Sequence, residues 1–254
     1  MSVPAAAAEG EFTSALAAIE GVDGWLSVAQ ARTLWEHVRA LQPPATIVEI
    51  GSFRGRSTIM LARASAPGIA LVAIDPHAGN DRGPQQIRGS RDEGQRELEA
   101  FRANLERAGV SELVRHVRRS SQQALDAVDG PVDLLYIDGA HRYAPARDDI
   151  ARWGARLRPG GTLLLHDSFS AVGVTLAQAR LLLLTSGFRF TGRQGTMSEY
   201  RREHLSPGGR ALNAISQLAQ LPSFARNILV KLALLARMRR LAWLLGQRTG
   251  EWPY

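Results

Sequence analysis

Cysteine is absent from the 254-residue chain, which excludes disulfides, thiolate metal sites and cysteine nucleophiles. Lysine is almost absent: Lys231 stands alone, so all but one of the 31 basic residues are arginine, a bias that reads as genome composition. No uninterrupted apolar run reaches about eighteen residues, so no transmembrane helix is expected. The start, Met1-Ser2-Val3-Pro4 followed by alanines and Glu9, lacks the basic segment and apolar run of a secretory leader. The expected compartment is the cytoplasm. Aromatic residues make up only 6%, and sparse aromatics beside a core that is not basic argue against a nucleic-acid partner.

What is present suits one large α/β domain with extensions: 45% of residues are hydrophobic. The net charge of +7 is unevenly placed. Residues 201–254 hold nine Arg or Lys against two Glu, so the excess belongs to the tail. Three segments are read: a helical extension over 1–44, a core over 45–204 and a basic amphipathic helical segment over 205–254. The first ten residues read as disordered, and helices are expected over 12–19 and 27–41, the second capped by Ser27 and stopped by Pro43-Pro44.

The core alternates strand and helix. Strands are expected at 46–51, 70–75, 114–119, 132–138 and 162–167, and helices at 56–64, 97–108, 121–128, 145–157 and 172–185. Pro159-Gly160-Gly161 reads as a turn, and 188–192 with 197–202 as a closing strand pair. Such alternation implies a Rossmann-like, doubly wound and mostly parallel sheet with a closing antiparallel strand. Ligands in these sheets sit at the carboxyl ends of the strands, where nearly every acidic or His residue of interest falls. Residues 76–96 form a long polar loop leaving that edge, read as a lid carrying Arg82, Arg88 and Arg91. From 226 to 248 arginines alternate with leucines. This reads as one basic helix that docks on the domain, pairs with a second chain in a homo-oligomer such as a dimer, or makes peripheral contact with an anionic membrane.

The chain is organised around Ile47-Val48-Glu49-Ile50-Gly51-Ser52-Phe53-Arg54-Gly55-Arg56-Ser57, an apolar strand entering a glycine turn and then a helix. The Gly-x-x-x-Gly spacing is not the Gly-x-Gly-x-x-Gly that seats a pyrophosphate. An acidic residue before the first glycine suits a cationic or hydroxylated ligand. Asp75, closing the second strand, can accept hydrogen bonds from a ribose diol; as a turn former it would need no ligand.

Glu49-x-Gly51-x-x-x-Gly55 resembles motif I of the class I S-adenosylmethionine-dependent methyltransferases. Further on, Tyr136-Ile137-Asp138-Gly139-Ala140-His141-Arg142-Tyr143 and Leu163-Leu164-Leu165-His166-Asp167 are similar to the paired motifs of the type 24 family, related to macrocin-type sugar O-methyltransferases. The resemblance covers roughly 45–190. It implies S-adenosylmethionine held by Glu49, Gly51, Ser52, Gly55, Ser57, Asp75, Ser120 and Asp138. It also implies O-methylation of a sugar or glycoside hydroxyl, with His141, Asp138 and His166 catalytic and His141 as general base. Asp138, His166 and Asp167 are the implied ligands of Mg2+ or another divalent cation; imidazole favours Mn2+ or Zn2+ over Mg2+. Ala140 departs from the family, many of whose members carry an Asp there. Two other readings stay open: a nicotinamide-dependent oxidoreductase using Asp75, and a non-catalytic methyltransferase-like binding module.

Overall fold

A computed structural model of the chain describes residues 5–80 and 88–247. Seven strands, β1 (Ala45–Ile50), β2 (Ile69–Ile74), β3 (Val114–Val117), β4 (Val132–Ile137), β5 (Leu157–Leu165), β6 (Phe188–Gln194) and β7 (Met197–Arg202), form one sheet in the order β3-β2-β1-β4-β5-β7-β6. The pairs among β1–β5 are parallel and those made by β7 antiparallel, as the alternation predicts. The order reverses between β1 and β4, where the neighbouring crossovers leave to opposite faces and open a crevice.

Period-two alternation builds two cores. Ile47, Leu71, Leu134, Tyr136 and Leu164 face one side, packed with residues of α1 (Ala5–Ala18), α2 (Val28–Arg39), α3 (Arg56–Ala64) and α4 (Arg91–Arg107). Val48, Ile50, Val72, Leu135, Ile137 and Leu163 face the other, under α5 (Tyr143–Gly154) and α6 (Val172–Leu182). Trp153 is fully buried on that side, and its ring nitrogen donates to the Ser121 carbonyl at 3.1 Å.

The structure corrects several boundaries. The expected disorder to residue 10 gives way to α1 from Ala5, because Phe12, Ala15 and Ile19 are buried. Arg56 holds the end of that segment by donating to the carbonyls of Ile19 (3.2 Å) and Val22 (2.6 Å). Ser27 caps α2 in a full capping box with Gln30. Helix α4 begins at Arg91, not 97, since the Ser90 side chain accepts from the Glu93 N–H and Asp92 and Glu93 occupy the first turn. The loop before it is correspondingly shorter, and Arg82 lies outside the described residues. Residues 121–127 make two 3-10 turns instead of one helix. Pro159-Gly160-Gly161 lies within β5, which shifts register against β4 between Val132 and Leu134, rather than in a turn before it.

The described part of the C-terminal segment holds three helices, α7 (Pro207–Leu218), α8 (Leu221–Leu235) and α9 (Arg239–Leu244), so the one helix expected over 226–248 is divided between α8 and α9. Pro207 and Pro222 start helices, where a missing N–H costs nothing. Arg237, at φ 58, separates α8 from α9. Pro207–Leu235 taken together is long enough to cross a membrane, and its most apolar 18-residue window has mean hydropathy 1.2. It is not an uninterrupted apolar run, because Arg210, Gln217, Arg226 and Lys231 among others fall within it.

Candidate active site

A cavity of about 640 Å³ opens at the carboxyl ends of β1, β2, β4 and β5. At the β1–α3 turn, Gly51 has φ 89, and a Cβ there would lie 2.1 Å from the Asp138 carbonyl oxygen. The close approach of β4 therefore demands this glycine. At Gly55, φ 88, a Cβ would meet the Leu105 side chain at 2.7 Å. Both glycines of the motif are thus explained by packing, although Gly51 also borders the cavity. Ser52 is buried at the cavity wall, and its hydroxyl has no hydrogen-bond partner among the described residues. A buried orphan of this kind fits a polar ligand.

Glu49 is placed differently from its expected role. It is fully buried and absent from the cavity lining, and its two oxygens accept from the Ser57 and Thr58 hydroxyls. Burial pushes its carboxyl up to about 8, against those two hydrogen bonds. Glu49 therefore ties α3 to β1 beneath the cavity. Ser57 borders the cavity, but its hydroxyl is the one donated to Glu49.

Asp75 follows β2. Its carboxylate accepts from the Phe53 N–H at 2.9 Å and the His77 N–H at 2.7 Å, which fixes it at the cavity edge with lone pairs remaining for a diol. Ser120 also lines the cavity; its hydroxyl donates to the Gln123 side chain at 3.1 Å rather than capping the following turn. Beside it the Ser121 hydroxyl donates to Asp149, whose carboxyl burial pushes up to about 7.

The ends of β4 and β5 bring four groups together. Asp138 Oδ2 accepts from the Tyr136 hydroxyl at 3.1 Å. His166 Nδ1 lies 3.2 Å from Asp138 Oδ1 and 3.4 Å from Asp167 Oδ2. His141 Nε2 lies 2.8 Å from Asp167 Oδ2. Burial alone would raise Asp167, but hydrogen bonds from His141 and His166 outweigh it and hold the carboxylate well below its ordinary range. Burial opposes the charged form of both imidazoles, yet Asp167 raises His141, and Asp138 and Asp167 bring His166 up to about 10.

One ligand atom each of Asp138, His141 and Asp167 lies within 4.8 Å of the others. Two carboxylates and an imidazole fit a divalent cation, with the nitrogen favouring Mn2+ or Zn2+. This replaces His166 by His141 in the expected ligand set. His166 is buried, borders no part of the cavity, and spends Nδ1 on the two carboxylates. It lies behind the two carboxylates, outside the cavity lining.

The walls include residues that motif reading misses. Trp25, between α1 and α2, stacks on Phe53 with ring centroids 5.6 Å apart, and both line the cavity. Ile228 and Lys231 of α8 line it too, and Lys231 Nζ donates to the Ser170 carbonyl at 2.9 Å. Gly173 packs α6 so closely that a Cβ would lie 2.3 Å from the His141 carbonyl oxygen. Only the long-range fold brings these segments to the site; Trp25, an aromatic between two helices, was the one local signal. Arg88 and Arg91, expected on the lid, are exposed and line no part of the cavity.

Comparison with known proteins follows the same line. Residues 48–168 match the family model described as a methyltransferase domain, type 24. A catechol O-methyltransferase of Mycobacterium tuberculosis (strain ATCC 25618 / H37Rv) is 29% identical over 136 residues, 52% of this chain and 52% of that protein. An uncharacterized protein of Sinorhizobium fredii, y4gI, is 30% identical over 135 residues, 52% of this chain and 14% of that one. The matches thus span about half of the first curated relative and less of the second. Among solved structures, the O-methyltransferase TomG from Streptomyces achromogenes, involved in tomaymycin synthesis and in complex with S-adenosylmethionine, superposes with TM-score 0.54 at 22% identity, covering 78% of this chain and 89% of that one. The cofactor-bound Rv0187 from MTB gives TM-score 0.54 at 22% identity, covering 76% and 89%. At these identities the shared property is the fold.

Proposed function

Starting from a type 24 methyltransferase domain at residues 48–168, we propose that the chain is an S-adenosylmethionine-dependent O-methyltransferase acting on a hydroxyl of a sugar or glycoside. The observation that carries the reading is the His141–Asp167 pair at 2.8 Å, placed in the same cavity as Ser52 and Asp75. Asp75 and the unpartnered Ser52 hydroxyl suit a ribose-bearing cofactor. Bound S-adenosylmethionine supplies an electrophilic methyl group on a sulfonium.

The chain's own residues then have three tasks. The cavity holds the acceptor oxygen in line with the methyl carbon, which converts a bimolecular step into a positioned one. With Nε2 held by Asp167, His141 Nδ1 is the nitrogen that takes the hydroxyl proton, because an alcohol is too weakly acidic to react well unaided. Asp167 orients the imidazole and stabilises its charged form. A divalent cation held by Asp138, His141 and Asp167 would instead acidify the hydroxyl directly, with His141 then a ligand and not the base.

A second acceptor class has one observation behind it: the Mycobacterium tuberculosis relative is a catechol O-methyltransferase. The test is calorimetric titration with S-adenosylhomocysteine, followed by methyl-transfer assays on sugar and catechol panels, each with EDTA and with Mg2+ or Mn2+. Micromolar S-adenosylhomocysteine binding with turnover of a glycoside is the expected result. Turnover of catechols alone would move the acceptor to the second class, and absence of binding would overturn the reading.

A further inference from the structure

The last three helices leave large apolar residues exposed, and α7 is built inside out. On α7 the residues turned toward the domain are polar. Asn213 accepts from the Phe190 N–H at 2.7 Å, and Gln217 accepts from the Tyr200 hydroxyl at 2.9 Å while donating to the Leu182 carbonyl at 3.0 Å. Turned outward are Leu212, Ile215 and Leu218, the first two more than 60% exposed. Helix α8 is mixed: Val230 and Ala233 are buried beside Asn227, which donates to the Phe169 carbonyl at 2.9 Å, while Leu221, Leu229 and Leu232 face out. A helix at a water surface presents the opposite arrangement. Such a continuous apolar face marks a surface that something apolar covers.

Charge selects the occupant. Residues 204–247 contain no Asp or Glu, but they contain Arg210, Arg226, Lys231, Arg237, Arg239 and Arg240. Lys231 is turned to the cavity, but a second copy docking face to face would bring Arg210, Arg237, Arg239 and Arg240 against the same positive charge, with no Asp or Glu in 204–247 to offset it. An anionic bilayer satisfies both features, taking the leucines into its boundary and the arginines among its headgroups. Trp243, exposed on α9, is the residue type that settles at that depth. A span is disfavoured by the build. The helix is interrupted at residues 219 and 220, and a spanning segment would strip Phe190, Tyr200 and Phe169 of the partners just named. We infer that α7–α9 lie flat on an anionic lipid surface, apolar face down. Because α8 also supplies Ile228 and Lys231 to the cavity, the docked surface and the site share one helix.

The test is flotation of the full chain with vesicles of phosphatidylcholine alone and of phosphatidylcholine with phosphatidylglycerol. The protein floats with the mixed vesicles and not with the neutral ones. The triple variant L212Q/L229Q/L232Q stays at the bottom of the gradient, and R237Q/R239Q/R240Q partitions roughly a hundredfold more weakly, both with unchanged circular dichroism. Absence of flotation with mixed vesicles overturns the inference, as does flotation that both variants retain. A wild-type dimer in light scattering that the leucine variant converts to monomer, without vesicle binding, assigns the face to a second copy instead.

Discussion

Replacing Glu49 by Gln separates a ligand role from a structural one. The carboxyl accepts from Ser57 and Thr58 out of reach of the cavity, and burial raises it from 4.5 to about 8. A carboxyl raised in the folded state contributes stability that is present below its unfolded value and lost as pH rises through its folded value. At pH 6 the unfolded chain already prefers the ionised form while the folded one keeps its proton; by pH 8 the gap has widened by nearly two pH units. The group alone therefore removes about 2 kcal/mol of stability between pH 6 and pH 8. Gln keeps the shape, offers one carbonyl acceptor and cannot ionise. Urea unfolding of wild type and E49Q at both pH values isolates this contribution, because His166 and Asp149 add the same slope to both proteins. The expected result is a shallower pH dependence for E49Q by about that amount, with S-adenosylhomocysteine affinity within about threefold of wild type. Parallel pH slopes would refute the buried-acid account. A loss of affinity of tenfold or more at preserved fold would return Glu49 to the cofactor.

His141→Asn is expected to lower kcat by about 10²–10⁴-fold with S-adenosylhomocysteine affinity intact, read by turnover and calorimetry. Since Asp167 favours the imidazolium, the free base forms only above the ordinary His range; wild-type kcat/KM then rises with pH through a value above 6.5, and the variant loses that limb. Asp75→Ala removes an acceptor fixed by two backbone N–H groups and is expected to weaken S-adenosylhomocysteine binding by roughly tenfold or more, measured calorimetrically. Gly173→Ala forces a Cβ toward the His141 carbonyl; it should cost about 1–3 kcal/mol by chemical denaturation and lower kcat more than it raises KM. If a cation is held by Asp138, His141 and Asp167, EDTA abolishes turnover, Mn2+ restores it, and S-adenosylhomocysteine affinity stays the same in both buffers.

The sheet was legible because its signal is local. Largely apolar runs such as Leu71–Ile74 and Leu134–Ile137 are followed by a carboxylate, Asp75 and Asp138, and parallel order follows from alternation with helices. Asp75, Asp138, His141 and Asp167 could be placed at one edge because each closes or follows a strand. Direction along the strand was harder. Glu49 lies two residues before Gly51, inside β1, so its side chain is spent within the sheet's own packing while Gly51 and Ser52 reach the cavity. The same logic separates His166 from Asp167. The first continues the strand and is buried behind the site; the second, at φ 56, turns its carboxylate toward His141.

The C-terminal segment failed for a different reason. Amphipathic reading assigns the apolar stripe to the core and the polar stripe to water; on α7 that assignment is reversed, and on α8 Asn227 is buried beside Val230 and Ala233 while Leu229 and Leu232 stay outside. Asn213, Gln217 and Asn227 look like surface residues in sequence, yet each closes a hydrogen bond to β6, β7 or a neighbouring loop. Phe190 and Tyr200, on the antiparallel end of the sheet, present a backbone N–H and a phenol that apolar residues could not satisfy. Polar side chains therefore have to face inward, and the leucines between them are displaced to the outside. The requirement originates in strands far from the helices along the chain, so no window over residues 207–235 contains it. The same displacement carries Ile228 and Lys231 to the cavity wall, which makes a segment that reads as an appendage part of the site.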